Sequence, residues 1–435
     1  MITPYPDYVR SDIKWVEALP KDWKSVPFYT VASESKLSNK GMIEDNLLSL
    51  SFGRIKRKSI KTQGGLLPAS FETYQIVNEN DIIFRLTDLQ NDKRSLRTAQ
   101  CTERGIITSA YVAVTPSTIR SRYLNYLMRA YDEAKVFYNL GAGMRQSLKY
   151  DELKRLPIIL PPVLTQQAIE VFLDRETQRI DNLIEEKQTF IKLLKEKRQT
   201  LISHVVTKGL TPNVEMQDTG IEWIGQVPKH WIVRRLKHTS TLQSGIAKGK
   251  DNAGKETLSV PMLRVANVQE GYVKLDDVHE IDVLPHEIER YALKNGDVLM
   301  NEGGDADKLG RGTVWKEQIK PCIHQNHVFV VRVTDIEPEW LGWLTQSAYA
   351  KFYFFRVSKQ STNLASISST NVKEVHLLIP PTDERNIIME YLEKQTSKLE
   401  QLVQNVEQSI TLLKEHRTSL ISAAVTGKID VREAV

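Results

Sequence analysis

The chain has 435 residues, 41% of them hydrophobic and 26% charged, with 59 Lys and Arg against 54 Asp and Glu for a formal net charge of +5. That composition excludes a disordered or fibrous chain and allows more than one buried core; the small basic excess fits a nucleic-acid partner held on one face without demanding one. Two cysteines, Cys101 and Cys322, cannot build a disulfide framework or a four-thiolate metal site, no signal-peptide pattern opens the chain, and no apolar run reaches the ~18 residues that span a bilayer, so a soluble protein of the reducing cytoplasm with no membrane partner is expected.

The first marked phrase is "WVEALPKDW", with Trp15, Pro20 and Trp23, and each such phrase is expected to anchor the incoming chain by burying two indoles. From about 16 to 160, β-branched and aromatic runs such as "QIVNENDIIF" and "YVAVTP" are cut by Gly, Asn, Asp and Pro. This predicts an irregular, mostly β module with one clear helix in "RSRYLNYLMRAYDEAKVFYNL". After "LPIILPP" the texture changes. Ile180, Ile184, Lys187, Ile191, Leu194, Arg198, Leu201 and Val205 recur in alternating steps of four and three, a heptad seam that no Pro or Gly interrupts. A helix of roughly 40 residues, about 60 Å long, is predicted. "VTKGLTPNVEMQDTGIE" at 206–222 reads as a polar connection.

Then the chain says much the same again. "WIGQVPKHW", with Trp223, Pro228 and Trp231, stands 208 positions after the first phrase. "GDVLMNE" and "IHQNHVFV" answer "NDIIFRL" and "ITSAYVAV" at a shift of 216. "VHLLIPP" and "LLKEHRTSLISAAVTGK" answer "LPIILPP" and "LLKEKRQTLISHVVTKG" at 219. The ends of the copies match well and the middles only in strand-like fragments, as expected of two modules that share a frame but differ where something is recognised. The second seam is Leu399, Val403, Val406, Ile410, Leu413, Arg417, Leu420 and Ala424. A long helix with one apolar seam needs a partner. The expectation is an α+β chain of two mixed, mostly β modules separated by two long helices that form an antiparallel coiled coil, with internal pseudo-two-fold symmetry. Its domains are 1–160, 161–208 as the first long helix, 209–379, and 380–435 as the second long helix with a tail.

The order of Trp-Pro-Trp phrase, variable β module, Pro-Pro and long helix ending "LISxxVT", all repeated once, resembles the specificity (S, HsdS) subunit of type I restriction–modification enzymes. "DTGIEWIGQVPKHWIVRRL" and "LLKEHRTSLISAAVTGKIDVRE" carry the resemblance most closely; the first phrase lacks the counterpart of Gly225. The resemblance implies two target-recognition domains, each reading part of a split double-stranded DNA sequence, and a helical spacer that docks two methyltransferase subunits. Restriction subunits are further implied partners. It implies no cofactor on this chain itself, with S-adenosylmethionine in the partner methyltransferase and ATP and Mg in the partner motor-nuclease. The other reading kept open is a non-catalytic coiled-coil scaffold whose β modules bind protein or RNA.

Candidate DNA contacts follow from charge and side-chain geometry, since Arg pairs with guanine and Asn or Gln with adenine while Lys and Arg also meet phosphates. In the first module they are Arg54, Lys56, Arg57, Lys58 and Lys61, then Lys93, Arg94 and Arg97, then Arg145 and Gln146. In the second they are Lys248, Lys250 and Lys255, then Arg264 and Asn267, Lys308 and Arg311, and Lys359, Gln360 and Asn363. Catalytic and metal sites are expected to be absent. "GKDNAGKE" has Glu256 where a phosphate loop needs Ser or Thr, "DADKLGRG" has Leu309 and Lys316 at calcium-ligand positions, and His324 and His327 of "HQNH" are three apart on a predicted strand and so face opposite ways.

Overall fold

Each long helix begins where a proline pair leaves off and stops at a glycine. The computed structural model describes residues 3–60, 68, 70–89, 96–139, 147–247, 254–304, 308–360 and 365–434. One long helix runs Val163–Lys208 and the other Thr382–Val425, 46 and 44 residues. Proline has no N–H to donate, so it suits a helix start. The carbonyls of Pro162 and Pro381 accept the first helical N–H groups, those of Gln166 and Arg385, at 3.0 and 2.9 Å. At the far ends Gly209 and Gly427 adopt φ of 74° and 73°, the left-handed turn that closes a helix. Along both helices the seam residues lie on the less exposed side. Ile180, Leu194, Leu399 and Ile410 are buried; Ile184, Ile191, Leu201, Val403, Val406, Leu413 and Leu420 are half-buried; Leu193, Leu402 and Leu412 beside them are exposed. No helix among the described residues is long and apolar enough to cross a membrane.

The chain divides into two compact units, Met1–Lys187 with Glu407–Val435, and Gln188–Val406. Each is a mixed α/β body of small sheets, short helices and a segment of both long helices. The first unit's four-stranded antiparallel sheet orders Thr98–Gln100, Ile82–Phe84, Val112–Pro116 and Ala32–Ser35. The second unit's orders Gly312–Val314, Val298–Asn301, Val328–Val333 and Ser240–Ser244 in the same sense. Two strand pairs also recur. Tyr8–Arg10 with Ala18–Pro20 matches Met216–Asp218 with Gln226–Pro228, and Lys24–Pro27 with Pro157–Leu160 matches Ile232–Arg235 with His376–Ile379. The remaining strands differ. The first unit has an antiparallel sheet of Gly105–Ile107, Gln75–Val77 and Leu37–Ser38 and a separate hairpin, Leu48–Ser51 with Arg54–Arg57. The second has a longer antiparallel pair, Leu258–Leu263 with His279–Val283, extended in parallel by Ile323–His324.

The second Trp of each phrase receives the end of a long helix. Trp23 is buried, edge to face with Tyr5 at 5.5 Å, in one core with Ile421, Ala424, Val425 and Val431. Trp231 is buried, edge to face with Trp340 at 6.3 Å, in one core with Ile202, Val205 and Val206. A Cβ on Gly427 would come within 2.5 Å of Pro20, so space and φ both require glycine there, while one on Gly209 would lie 3.1 Å from Glu384 and 3.3 Å from the Trp231 ring, a tight fit at a position where φ favours glycine. The first Trp of each phrase behaves differently from the expectation. Trp15 and Trp223 are half-buried, packed against the margin of their cores beside Tyr131 at 5.3 Å and Tyr353 at 6.0 Å, with Arg356 over the Trp223 ring.

A charged contact ties each short helix to a long one. Arg120 pairs with Glu170 at 2.6 Å and gives its N–H to Gln166 Oε1 at 3.0 Å; in the other unit Arg385 forks onto both carboxylate oxygens of Glu337, whose ionisation it favours by that hydrogen bond. The first and last described segments meet in the first unit. The Asp430 N–H donates to the Thr3 carbonyl at 2.8 Å, Tyr8 Oη donates to the Gly427 carbonyl at 2.8 Å, and Arg432 lies over the Tyr5 ring. Trp231→Ala is expected to cost about 3–5 kcal/mol in urea unfolding, and Trp223→Ala markedly less. Equal losses would contradict the division between anchor and rim.

Candidate nucleic-acid interface

In the first unit the hairpin of Leu48–Ser51 and Arg54–Arg57 turns through only two residues, Phe52 and Gly53. Its register pairs Ser49 with Lys56 and Ser51 with Arg54, and Leu48 with Arg57 and Leu50 with Ile55. Strand side chains alternate, so the two sets face opposite ways. Leu48, Leu50 and Ile55 sink inward; Ser49, Ser51, Arg54 and Lys56 make an outward hydroxyl and cationic face. A groove lined by Ser49, Ser51, Phe52, Lys56, Lys58, Arg85, Thr87 and Tyr111 continues that face. Arg57 also lines this groove while pairing with Glu103, whose carboxyl the Arg57 hydrogen bond keeps below its ordinary pKa.

Arg97 does not join this surface. It is fully buried: Nη1 donates to the Thr87 carbonyl at 2.9 Å, Nη2 to that of Asp88 at 3.3 Å, and its N–H to Asp132 Oδ2 at 2.6 Å. Burial pushes the Asp132 carboxyl up to about 6. The guanidinium thus satisfies the carbonyls of the chain that follows Ile82–Phe84, because those carbonyls have no strand partner to take them up.

In the second unit the strands Leu258–Leu263 and His279–Val283 are joined by a longer excursion, 264–278. Asn267 is buried at its base, accepting from the Arg264 N–H at 2.8 Å and donating to the carbonyls of Lys274 and Asp277, both at 2.9 Å. Arg264 in turn pairs with Asp277 at 2.8 Å. These two therefore shape the loop. Arg311 Nη1 donates to Gln269 Oε1 at 3.1 Å, which places it against the same loop. Tyr272 is exposed near the tip, as Lys255 is near the first strand. A small sheet joins Gly303–Gly304 and Lys359–Gln360 through Ala365–Ser366, bringing exposed Lys359 and Gln360 toward half-buried Lys308, whose stem lies along Gly304.

The segment before each proline pair backs onto the loop after the second sheet strand in both units: Leu148 N–H to the Leu86 carbonyl at 2.9 Å, and Ile367 N–H to that of Glu302 at 2.8 Å. Lys61, Lys93, Arg94, Arg145, Gln146, Lys248, Lys250 and Asn363 lie outside the described residues. Residues that sequence reasoning passed over are Phe52, Arg85 and Tyr111 in the first unit and Gln269 and Tyr272 in the second. An aromatic next to glycine between strand-like runs, "SFGR" and "EGYV", is the signal that marks two of them. His324 is buried, its ring Nδ1 2.7 Å from the Val328 carbonyl, and desolvation pulls it down to about 4; His327 is exposed beside Glu302. Among the described residues no group of three His, Cys, Asp or Glu could hold a metal ion.

Known proteins bear on this arrangement. No family model matches the chain. It is 22% identical over 298 residues to the type I restriction enzyme EcoKI specificity subunit of Escherichia coli K12, covering 67% of this chain and 62% of that protein. It is 22% identical over 295 residues to the StySPI specificity subunit of Salmonella potsdam, covering 67% and 62%, and 23% identical over 373 residues to the MjaVIII specificity subunit of Methanocaldococcus jannaschii, covering 82% and 81%. The chain thus spans less than two thirds of the length of the two bacterial relatives. Its fold is similar to a chain solved in work on complex assembly and conformational transition of the type I R-M system, with a TM-score of 0.70 at 16% identity over 94% of this chain and 99% of that one. It is also similar to the HsdS subunit from Thermoanaerobacter tengcongensis, with a TM-score of 0.52 at 14% identity over 94% and 98%. The resemblance carried by the repeated phrases is borne out.

The geometry separates structural from surface cations. Arg97→Ala, which leaves buried carbonyls unsatisfied, is expected to lower unfolding stability by about 1–3 kcal/mol, and Lys56→Ala by no more than about 0.5 kcal/mol. Comparable losses in chemical denaturation would remove the distinction.

Proposed function

We propose that this chain is the DNA sequence-recognition subunit of a type I restriction–modification complex, non-catalytic itself, each unit reading one half of an asymmetric bipartite target. The observation that carries the reading is one frame built twice around unlike surfaces. The four-stranded sheets share one order and both Trp sockets hold a helix end, yet the reading ribbons differ: a two-residue turn in one unit and the 264–278 excursion in the other. A two-stranded ribbon fits the major groove of B-DNA, where hydroxyl, Lys and Arg side chains distinguish bases.

The long helices serve as the spacer in this reading, an antiparallel coiled coil with approximate two-fold symmetry. Two contacts support it. In the first unit Asp181 meets Arg417, and in the second Arg198 meets Glu400, so rising numbers on one helix meet falling numbers on the other. The equivalent positions are 219 apart. Similar helices offer similar docking surfaces for two copies of a methyltransferase subunit, which would bring S-adenosylmethionine, while restriction subunits would bring ATP and Mg.

Two measurements test the proposal. Co-expression with the cognate adenine methyltransferase in a methylation-free host, followed by genome-wide mapping of 6-methyladenine, is expected to reveal one split asymmetric motif with a fixed gap. A stable complex that methylates nothing turns the assignment toward a scaffold. Replacing Lys56 and Lys58 together by Ala is expected to reduce the slope of log affinity against log salt by about 2, and an unchanged slope removes both from the phosphate contacts.

A further inference from the structure

The tip of each two-stranded ribbon meets the long helices through a charged cluster. In the first unit the Gly53 carbonyl accepts from Arg129 Nη2 at 2.9 Å. Asp181 of the first long helix lies 2.9 Å from Arg417 Nε of the second and 3.6 Å from Arg54 Nη2, the residue that follows the tip. Arg129 is drawn below its ordinary pKa by burial and then by the neighbouring Arg417 charge, with Asp132 and Glu133 acting the other way, so Arg54, Arg129 and Arg417 gather around Asp181 and Glu133.

In the second unit Arg198 of the first long helix donates to Gln346 Oε1 at 2.8 Å, stands 3.3 Å from Glu400 of the second, and 4.0 Å from Glu270, the residue before Gly271. A Cβ on Gly271 would come 3.4 Å from Gln346 Oε1 and 3.5 Å from Arg198 Nη2. Asp181 and Glu400, like Arg198 and Arg417, stand 219 positions apart, the shift of the surrounding helices, and Arg129 and Gln346 stand 217 apart, between the shifts of 216 and 219 on either side. The helix pair keeps its polarity, an acid at Asp181 and Glu400 and an arginine at Arg417 and Arg198, while the ribbon residue beside it differs: Arg54 near the acid in one unit, Glu270 near the arginine in the other. An exposed aromatic, Phe52 or Tyr272, flanks each tip.

Partly exposed ion pairs add little stability, so the recurrence of the same helix-to-helix pair beside two unlike ribbons is not explained by stability alone. A planar guanidinium that bridges two elements fixes their relative direction. We propose that Asp181 with Arg417, and Arg198 with Glu400, are positioning residues that set the angle of each reading ribbon on the helix pair and thereby the gap accepted between half-sites. This rests on the DNA-reading assignment above.

The test uses the full chain with its methyltransferase on a pool of targets whose gap is one base pair shorter, correct, or one longer. Asp181→Asn and Arg198→Gln are each expected to raise off-gap relative to correct-gap methylation about threefold, with the half-site sequences unchanged. A uniform loss at all gaps, or a ratio equal to that of the parent chain, overturns the proposal. If the parent chain methylates nothing, the DNA-reading assignment fails separately. Amide exchange of the free chain then decides the positioning role: faster exchange at 52–57 in Asp181→Asn and at 269–274 in Arg198→Gln supports it, and unchanged exchange at those segments overturns it.

Discussion

Everything in each unit leans on one contact, the seating of a long helix's last turn against the second tryptophan of a Trp-Pro-Trp phrase. The helix turns off there, since Gly209 and Gly427 adopt the left-handed conformation, and a side chain at Gly427 would strike Pro20 while one at Gly209 would crowd the Trp231 ring. The middle of each phrase is itself a strand, paired with the segment before it through Tyr8 and Pro20 in one unit and Met216 and Pro228 in the other. Apolar burial supplies the energy and the glycine supplies the room. The phrase occurs twice because there are two helix ends to seat.

Around that contact the units keep geometry and exchange chemistry. Arg120 with Glu170 in one unit becomes Glu337 with Arg385 in the other, still linking the start of a short helix to the first turns of a long one. Reversal has a consequence for assembly. A short helix set against the wrong long helix would bring Arg120 toward Arg385, or Glu337 toward Glu170. Like charges at a partly buried contact disfavour that exchange, so each module selects its own helix even though the frames are nearly alike.

Much of this was legible in the sequence because it is periodic or repeated. Steps of four and three located the seam, and a growing shift between copies located the variable middles. Burial of single polar side chains was not legible. Arg97 and Asn267 look like any exposed Arg or Asn in a polar stretch, and only the surrounding carbonyls reveal that they hold loops together. Arg198 and Arg417 were visible as polar interruptions of an apolar seam, but their partners lie far away in the sequence. Phe52 and Tyr272 were passed over because an aromatic beside glycine is common, and exposure depends on which face of a ribbon a core already occupies.

The meeting of the first and last segments in one unit has a further consequence, for the order in which the protein is made. Residues 188–406 form a unit complete in themselves, whereas the first unit needs 407–435 to fill the socket at Trp23 and to pair Thr3 with Asp430. During synthesis the second unit can close as soon as its own residues have emerged. Trp23 lacks Ile421, Ala424 and Val425 until residues 407–435 have emerged, so its unit completes after the one formed by 188–406.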